Sequence, residues 1–351
     1  SRYPALVIDH ESRMYNVKTI CDWCEDTGIF VAGVIKGANG ILSVAEDYVA
    51  GGAKMIASSR MEQLKRCREG NIGVPLLMIR VPMLSELDEL VQVADCSLNS
   101  ELVTLRALDK AAEAHGVVHN VVLMADLGDL REGYFNYDEL VETAETVERE
   151  LSHLHLAGIG TNLGCYGSVM ATEDKMQELV DLAIRVEKSI GRELEIVSGG
   201  ATSSLMGVFG GYMPEKINML RIGAAALAGS LEDMRVCYGY SEMDALRDDA
   251  FTLEAQVVEV KKKASHPIGQ LGVDAFGKKQ TYVDRGERTR ALVAVGRADY
   301  GEISDLVPTI EGMEVIGASG DHTILDIEDV KEPIEIGDII TFKLKYSAIL
   351  R

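Results

Sequence analysis

The sequence predicts an α/β protein, a (β/α)8 TIM barrel followed by a C-terminal, mainly antiparallel β domain. Up to about residue 235, short apolar runs rich in β-branched residues alternate with longer segments of helical period. Such alternation is typical of parallel strands buried on both faces. After about residue 248, strand-like runs are separated by turn residues and few helical periods remain, which indicates antiparallel structure.

The first part contains nine predicted strands, one more than a barrel of eight requires, so one strand belongs elsewhere. They are Ala5–Asp9, Phe30–Lys36, Met55–Ser58, Pro75–Arg80, Cys96–Asn99, Val121–Leu127, Leu154–Asn162, Glu195–Gly199 and Met219–Ala226. The predicted strands of the second part are Phe251–Lys261, Arg290–Val295, Glu314–Gly317, His322–Ile327 and Ile339–Tyr346. The boundary is expected in the charged stretch Glu242–Asp249.

Helices are predicted over Asn99–Gly116, Tyr137–Ser152 and Thr172–Ile190. Asn99 or Ser100 is expected to cap the first of them, and Thr172 the third, because short polar side chains accept hydrogen bonds from the first free N–H groups of a helix.

Composition limits the function classes. The chain has 351 residues and a formal net charge of −21, which argues against binding to nucleic acid or to an anionic membrane. No apolar run reaches the ~20 residues of a membrane span, and no signal-peptide pattern opens the sequence, so a cytoplasmic protein is expected. Six scattered cysteines indicate reduced thiols. Cys21 and Cys24 form a lone CxxC pair, for which we prefer helix-face cysteines over zinc, and no metal site is predicted.

In barrels of this kind the working groups lie at the carboxyl ends of the strands. Lys36 closes the second predicted strand, where loss of solvation makes the neutral amine of a lysine nucleophilic; the alternative is a surface lysine. Arg131 follows the sixth predicted strand and can bind a carboxylate through two hydrogen bonds. The alternative for Arg131 is a salt bridge to Asp126 or Asp129.

Two further strand ends resemble a phosphate site. The segment 198–204 reads SGGATSS, so that Ser198, Thr202 and Ser203 bring hydroxyls together with backbone N–H groups. Arg221, followed by Gly223 and Ala224, ends the last strand, and barrels often bind phosphate at their final loops. An amine nucleophile, a phosphate cradle and two guanidinium groups around one mouth form the set that pyridoxal phosphate needs.

At these residues the chain resembles the alanine racemase family of barrel-type pyridoxal-phosphate enzymes, and most closely its ornithine racemase branch. The resemblance extends over nearly the whole chain. Its motifs are MADLGDLREG at 124–133, GIGTNLGCYG at 158–167, SGGATSSL at 198–205, DAFTLE at 249–254, PIGQLGVDAFG at 267–277 and GRAD at 296–299. In that family the first strand joins the C-terminal β domain, which implies a barrel over 10–240 and a β domain over 1–9 and 249–351.

The resemblance implies a role for each matching residue. Lys36 would bind the cofactor covalently as a Schiff base and act as one catalytic base. Arg131 would stabilise the cofactor phenolate and the substrate carboxylate. Thr202, with the backbone of Gly223 and Ala224, would hold the phosphate. Arg221 would face the pyridine nitrogen and, because a guanidinium does not readily give up its proton, disfavour side reactions such as transamination.

Several positions depart from the family pattern. Alanine racemases have an asparagine–serine pair where this chain has Ala201 and Thr202, and their strand-end histidine corresponds to Asn162, which we count among the cofactor-binding candidates. Their phosphate-binding tyrosine corresponds to Gly40. Their second catalytic base, a tyrosine from the partner's β domain, corresponds to Phe276, which cannot transfer a proton.

Another group must therefore serve the face opposite Lys36. The candidates are Asp274, Cys165, His266 and Tyr166, and we prefer Asp274 or Cys165. A loop aspartate is otherwise a turn former, and a lone cysteine is otherwise inert.

The sequence therefore predicts a racemase of ornithine or a related basic amino acid, working as a homodimer whose subunits share each site. Alternatives are an alanine or lysine racemase, and a cofactor carrier without racemase activity. Such carriers lack the β domain that follows Asp248, which favours the enzyme. A decarboxylase of this barrel is usually longer, and a metal-dependent aldolase should contain a late histidine–cysteine ligand pair, which is not evident.

Overall fold

A computed structural model describes residues 2–35, 41–223, 227–229 and 238–345. The chain divides into two compact units, residues 13–246 and residues 1–12 together with 247–351. We call the first the barrel unit and the second the β unit. Among the described residues, no helix is long and apolar enough to span a membrane.

The barrel unit is built on eight parallel strands that close into a barrel in the order β2 to β9. The strands are β2 (Phe30–Val34), β3 (Met55–Ser58), β4 (Leu76–Met78), β5 (Cys96–Asn99), β6 (His119–Ala125), β7 (Leu154–Thr161), β8 (Ile196–Ser198) and β9 (Met219–Ile222). The barrel closes where β2 pairs with β9, with Phe30 opposite Met219 and Gly33 opposite Ile222.

Alternate residues of the barrel strands form one apolar cluster, as strand geometry requires. The cluster consists of Ala32, Val34, Met55, Ala57, Leu77, Cys96, Leu98, Val122, Met124 and Met219. These strands therefore fill the barrel interior with apolar side chains, and working groups are expected at the carboxyl ends of the strands.

Helix α1 (His10–Glu25) lies between β1 (Ala5–Ile8) and β2. Among the described residues, further helices follow most barrel strands: α2 (Ile41–Gly51), α3 (Met61–Glu69), α4 (Leu87–Val93), α5 (Leu102–Ala114), α6 (Tyr137–Glu150), α7 (Glu173–Ile190) and α8 (Leu205–Phe209). Cys21 and Cys24 lie on α1 with buried thiols. In helix α7, Thr172 is the N-cap and accepts a hydrogen bond from the Lys175 N–H at 3.4 Å.

Tyr48 ties the two strands at the closure of the barrel together. Its hydroxyl donates to the carbonyl of Ile222 at 2.8 Å, and its ring lies over Gly33. A Cβ at Gly33 would lie 2.4 Å from the ring, so only glycine leaves room for it. The contact fixes α2 against the ends of β2 and β9, from which Lys36 and Gly223 follow in sequence.

The β unit contains a seven-stranded antiparallel sheet. Its strands are β1 (Ala5–Ile8), β10 (Phe251–Ala264), β11 (Glu287–Val293), β12 (Leu306–Pro308), β13 (Glu314–Ala318), β14 (Thr323–Asp326) and β15 (Ile339–Leu344). The path runs β12-β15-β10-β11-β14-β13, and β1 adds to β10 with Ala5 opposite Glu254. A one-turn helix, α9, spans Arg297–Tyr300.

The predicted fold class is confirmed, and β1 is the surplus strand, since it pairs with β10 and not within the barrel. The capping prediction for α5 was wrong. Glu101 is its N-cap, without a side-chain hydrogen bond, and the amide of Asn99 instead donates to the backbone carbonyl and hydroxyl of Ser97. Strand β12 was not predicted, because three residues that end in proline carry too little pattern.

Candidate active site

The carboxyl ends of β6 to β9 bring the predicted polar residues of the barrel unit together. Lys36 and Ala224 lie outside the described residues, although the interior-facing Val34 is only two residues before Lys36 in sequence. Asp274 lies in the β unit. The remaining predicted residues lie at the carboxyl ends of four neighbouring strands or in the loops that follow them, and their contacts define the site.

Arg221 is a buried guanidinium on β9. Its Nη1 donates to the hydroxyl of Ser198 at 2.8 Å, and its Nη2 donates to the carbonyl of Thr161 at 3.2 Å. Burial lowers the pKa of Arg221 to about 10, against the opposing effect of the nearby Glu132 charge. Arg221 therefore remains protonated at neutral pH and cannot readily lose its proton to a neighbouring group.

The loop after β6 folds back on itself. Asp126 accepts hydrogen bonds from the N–H groups of Gly128 at 2.9 Å and Leu130 at 3.0 Å, and its own N–H donates to the carbonyl of Tyr134 at 3.0 Å. Gly133 has φ of +119°, a conformation that favours glycine, and a Cβ there would lie 2.8 Å from the Asp126 nitrogen. Arg131 lies within this folded loop, between Leu130 and Gly133.

Arg131 is paired with its sequence neighbour Glu132. Its Nε donates to Glu132 Oε2 and its Nη2 donates to Oε1 at 2.7 Å. The salt bridge to Asp126 or Asp129, which the sequence left open, does not form, because those carboxylates accept backbone N–H groups. Glu132 was not predicted, since nothing in the sequence distinguishes it among 56 acidic residues.

Asn162, at the end of β7, joins this pair to Cys165. Its amide Nδ2 donates to Glu132 Oε1 at 3.1 Å, and its Oδ1 accepts from the Cys165 thiol at 3.4 Å. Cys165 is exposed. A negative charge on its sulfur would raise the pKa of both Arg131 and Arg221, so the thiol lies within electrostatic range of both guanidinium groups.

The loop that contains Cys165 is held by the buried side chain of Asp129. Its Oδ1 accepts from the N–H groups of Gly164 at 3.1 Å and Val169 at 3.0 Å, and its Oδ2 accepts from those of Cys165 at 3.3 Å and Tyr166 at 2.9 Å. Burial works to raise the pKa of Asp129, but these hydrogen bonds outweigh it and hold the pKa below its usual value. A single carboxylate thus joins the loops after β6 and β7.

The predicted phosphate loop meets the end of β9. The Gly223 N–H donates to Thr202 Oγ1 at 3.1 Å, which brings two of the predicted phosphate ligands together. Among the described residues, only Thr202 Oγ1 lies within 4 Å of a Cβ built on Gly223, at 3.9 Å, so space remains beside this backbone. The Ser203 hydroxyl instead donates to the carbonyl of Leu163 at 2.9 Å. The donor set suits a phosphate group.

The residues of the β unit that were considered as proton donors have local partners. Asp274 Oδ1 accepts from the N–H groups of Phe276 and Lys278, each at 2.9 Å, and its Oδ2 accepts from the Gln280 amide at 2.7 Å. These hydrogen bonds, the one from Gln280 first, hold the pKa of Asp274 below its usual value. The Phe276 ring lies 3.8 Å from the guanidinium carbon of Arg297.

Comparisons with known proteins relate the whole chain to a family. Residues 8–230 match the family model of the alanine racemase N-terminal domain. The chain belongs to the alanine racemase family. It is 39% identical to the ornithine racemase of Acetoanaerobium sticklandii, covering 99% of this chain and 96% of that protein. It is 35% identical to the lysine racemase of Thermotoga maritima, with 99% and 95% covered. At this identity over nearly the full length, this member of the alanine racemase family is an amino-acid racemase.

Solved structures share the fold of both units. The alanine racemase of a D-cycloserine-producing Streptomyces lavendulae superposes with a TM-score of 0.77 at 20% identity, covering 98% of this chain and 88% of that one. The D-threonine aldolase of Filomicrobium marinum superposes with a TM-score of 0.73 at 18% identity, covering 99% and 89%. Since enzymes of two different activities share it, the fold by itself does not determine the reaction.

Proposed function

We propose that this alanine racemase family member is a pyridoxal-phosphate-dependent racemase of a basic amino acid, ornithine or lysine, with the cofactor attached to Lys36. The observation that most strongly supports this proposal is the match, over nearly the whole chain, to racemases of these two amino acids. Two guanidinium groups, a thiol and the Thr202–Gly223 contact at the strand ends support the same reaction.

Pyridoxal phosphate, when bound, supplies an aldehyde that condenses with the amino group of the substrate and a ring that acidifies the Cα proton. Thr202 and the backbone at Gly223 and Ala224 would hold its phosphate. The proposed cofactor site also includes Asn162, Ser198 and Ser203. Ser198 accepts a hydrogen bond from Arg221, Asn162 lies at the start of the loop after β7, and Ser203 donates to that loop. Arg221, protonated and buried, would face the pyridine nitrogen without protonating it.

The substrate carboxylate would be bound by Arg131, whose Nη1 makes no hydrogen bond to a described residue. Lys36 would move the proton on one face of Cα. Between the preferred residues for the other face, contacts favour Cys165 over Asp274. The thiol of Cys165 is exposed and lies within electrostatic range of Arg131 and Arg221, whereas both oxygens of Asp274 accept hydrogen bonds within a turn.

The proposed functional form is a homodimer. The segment 266–283 of the β unit leaves large apolar side chains exposed, among them Ile268 at 93%, Val273 at 69% and Val283 at 72%. Exposed apolar segments of this kind are typical of interaction surfaces, and we propose that a second copy of this chain covers this one. The reduced thiols of the described cysteines suit the cytoplasm, where we expect the enzyme.

Exchange of the Cα proton for deuterium, measured by NMR across L-ornithine, L-lysine and L-alanine, tests the activity. We expect exchange together with appearance of the D enantiomer for the basic amino acids. Borohydride reduction followed by peptide mapping should label Lys36, and Lys36→Ala should lose both the cofactor's visible absorption and the activity. Cofactor binding without exchange of any substrate would favour the carrier, and a label on another lysine would refute the attachment.

A further inference from the structure

The guanidinium of Arg131 uses one of its two hydrogen-bonding edges to bind a protein carboxylate. Glu132 takes the edge formed by Nε and Nη2, and the hydrogen bonds run to both of its oxygens. A guanidinium can present two such edges to carboxylates, the second formed by Nη1 and Nη2. Pairing on the first edge fixes the plane of the group and therefore the direction of the second.

Glu132 is itself held in place. Asn162 Nδ2 donates to Oε1 at 3.1 Å, and the side chain of Glu132 is only 18% exposed, against 47% for Arg131. Burial works to raise the pKa of Glu132, but the hydrogen bonds from Arg131 and Asn162 outweigh it, so the group is a carboxylate at neutral pH. Asn162, just after β7, therefore holds Glu132 in place, and Glu132 in turn holds Arg131.

Glu132 also offsets positive charge at the mouth. Its charge raises the pKa of Arg221 as well as that of Arg131, so one carboxylate acts on both guanidinium groups. A substrate with a cationic side chain would be repelled by two uncompensated guanidinium groups, and a fixed carboxylate beside them reduces that repulsion.

We infer that Glu132 is a positioning residue for Arg131, which it orients so that the Nη1–Nη2 edge is free to bind the substrate carboxylate. The inference rests on the proposed function, in which Arg131 binds that group. Glu132→Gln tests this inference, because glutamine has the size of glutamate but replaces one oxygen with an NH2 group that cannot accept a hydrogen bond from Arg131. Glu132→Asp keeps the charge on a shorter side chain.

Glu148→Gln is the matched control. Glu148, on helix α6, accepts from Nε of Arg192 at 3.0 Å and from its Nη2 at 2.8 Å. The pairing has the same two bonds, and neither residue belongs to the proposed site. The measurements are kcat and KM in both directions, and the dissociation constant of butyrate by ligand-observed NMR. Butyrate has a carboxylate but no amino group, so it reports the carboxylate contact without turnover.

We expect Glu132→Gln to raise KM for both enantiomers and the dissociation constant of butyrate by about tenfold or more, with a smaller change in kcat. Glu132→Asp should raise KM and the dissociation constant of butyrate by about two- to fivefold, and Glu148→Gln should change neither quantity. Unchanged values in Glu132→Gln, or equal changes in Glu148→Gln, would overturn the inference. If Glu132→Gln fails to fold, unchanged values in Glu132→Asp overturn it. A parent enzyme without racemase activity overturns the proposed function first, and this inference with it.

Discussion

The carboxylate of Asp129 accepts the Tyr166 N–H at 2.9 Å, although the two residues are 37 positions apart in the sequence. Three further N–H groups of the same loop donate to Asp129, so the loop that carries Cys165 is fixed to the loop that carries Arg131. Arg131 and Cys165, two of the side chains that we propose to act on the substrate, thus lie on loops joined by one carboxylate, and changes at Asp129 should affect both.

Asp129→Asn should lower both stability and activity. The asparagine NH2 would face N–H donors in place of an acceptor, and leaving buried donors unpaired costs about 1–3 kcal/mol. We expect urea unfolding to show a loss of that size and kcat to fall about tenfold or more, as for a displaced acid or base. Asp109→Asn is the control, since Asp109 accepts one N–H among the described residues, from His153 at 2.8 Å, before the amino end of β7 and not at the carboxyl end, where the site lies. Equal losses in the two variants would contradict a specific role of Asp129.

Gly33→Ala should destabilise the barrel unit. The added Cβ would lie 2.4 Å from the Tyr48 ring, which cannot move away without breaking its hydrogen bond to the Ile222 carbonyl. Overpacking of this kind costs about 1–3 kcal/mol. Gly73→Ala is the control, because its Cβ would meet nothing within 4 Å among the described residues. Urea midpoints should fall for Gly33→Ala alone, and an unchanged midpoint would show that Tyr48 can give way.

Stability should decrease between neutral and mildly acidic pH because of His119. Burial lowers the pKa of this imidazole to about 4, while Ser97 Oγ lies 2.8 Å from its Nε2. The unfolded chain, with a histidine pKa of about 6.5, binds the proton first, so stability is complete above pH 6.5 and falls as the pH approaches 4. The difference of roughly 2.5 pKa units corresponds to about 3 kcal/mol.

Unfolding of the parent and of His119→Gln, compared at pH 7.5, 6 and 5, measures this contribution. The variant should begin less stable, because Ser97 loses its partner, and should lose less with falling pH than the parent does. The other titrating groups are common to both proteins, so identical slopes would exclude His119 as the cause.

The sequence was sufficient for the barrel because short strand-like runs alternate with segments of helical period, and the bounds of Met55–Ser58 and Cys96–Asn99 were predicted correctly. The strand predicted over Met219–Ala226 proved too long among the described residues, since β9 ends at Ile222. An apolar run does not mark where pairing with the neighbouring strand stops.

The candidate site was predictable where a residue follows a strand and less so where its role depends on a distant loop. Arg221 and Thr202 were proposed because they lie at strand ends, and the structure places Thr202 against Gly223, two residues after Arg221. The function of Asp129 depends on N–H groups of 164–169, and that of Glu132 on the amide of Asn162, so neither could be read from local pattern. Asp274 had the right residue type, but its hydrogen bonds to Phe276, Lys278 and Gln280 are those of a turn.

The last prediction concerns the proton on the face opposite Lys36. Racemisation needs a donor on each side of the planar carbanion, because a single base would have to cross the plane to return the proton. Cys165→Ser should therefore lower racemisation by about 10²–10⁴-fold, the usual contribution of a positioned acid or base, while Cα deuterium exchange persists from one enantiomer. Asp274→Asn should retain nearly the parent rate, since its side chain serves a turn. Full racemase rates in Cys165→Ser, with loss in Asp274→Asn, would reverse the assignment. Full rates in both would leave His266 and Tyr166 as the groups to test next.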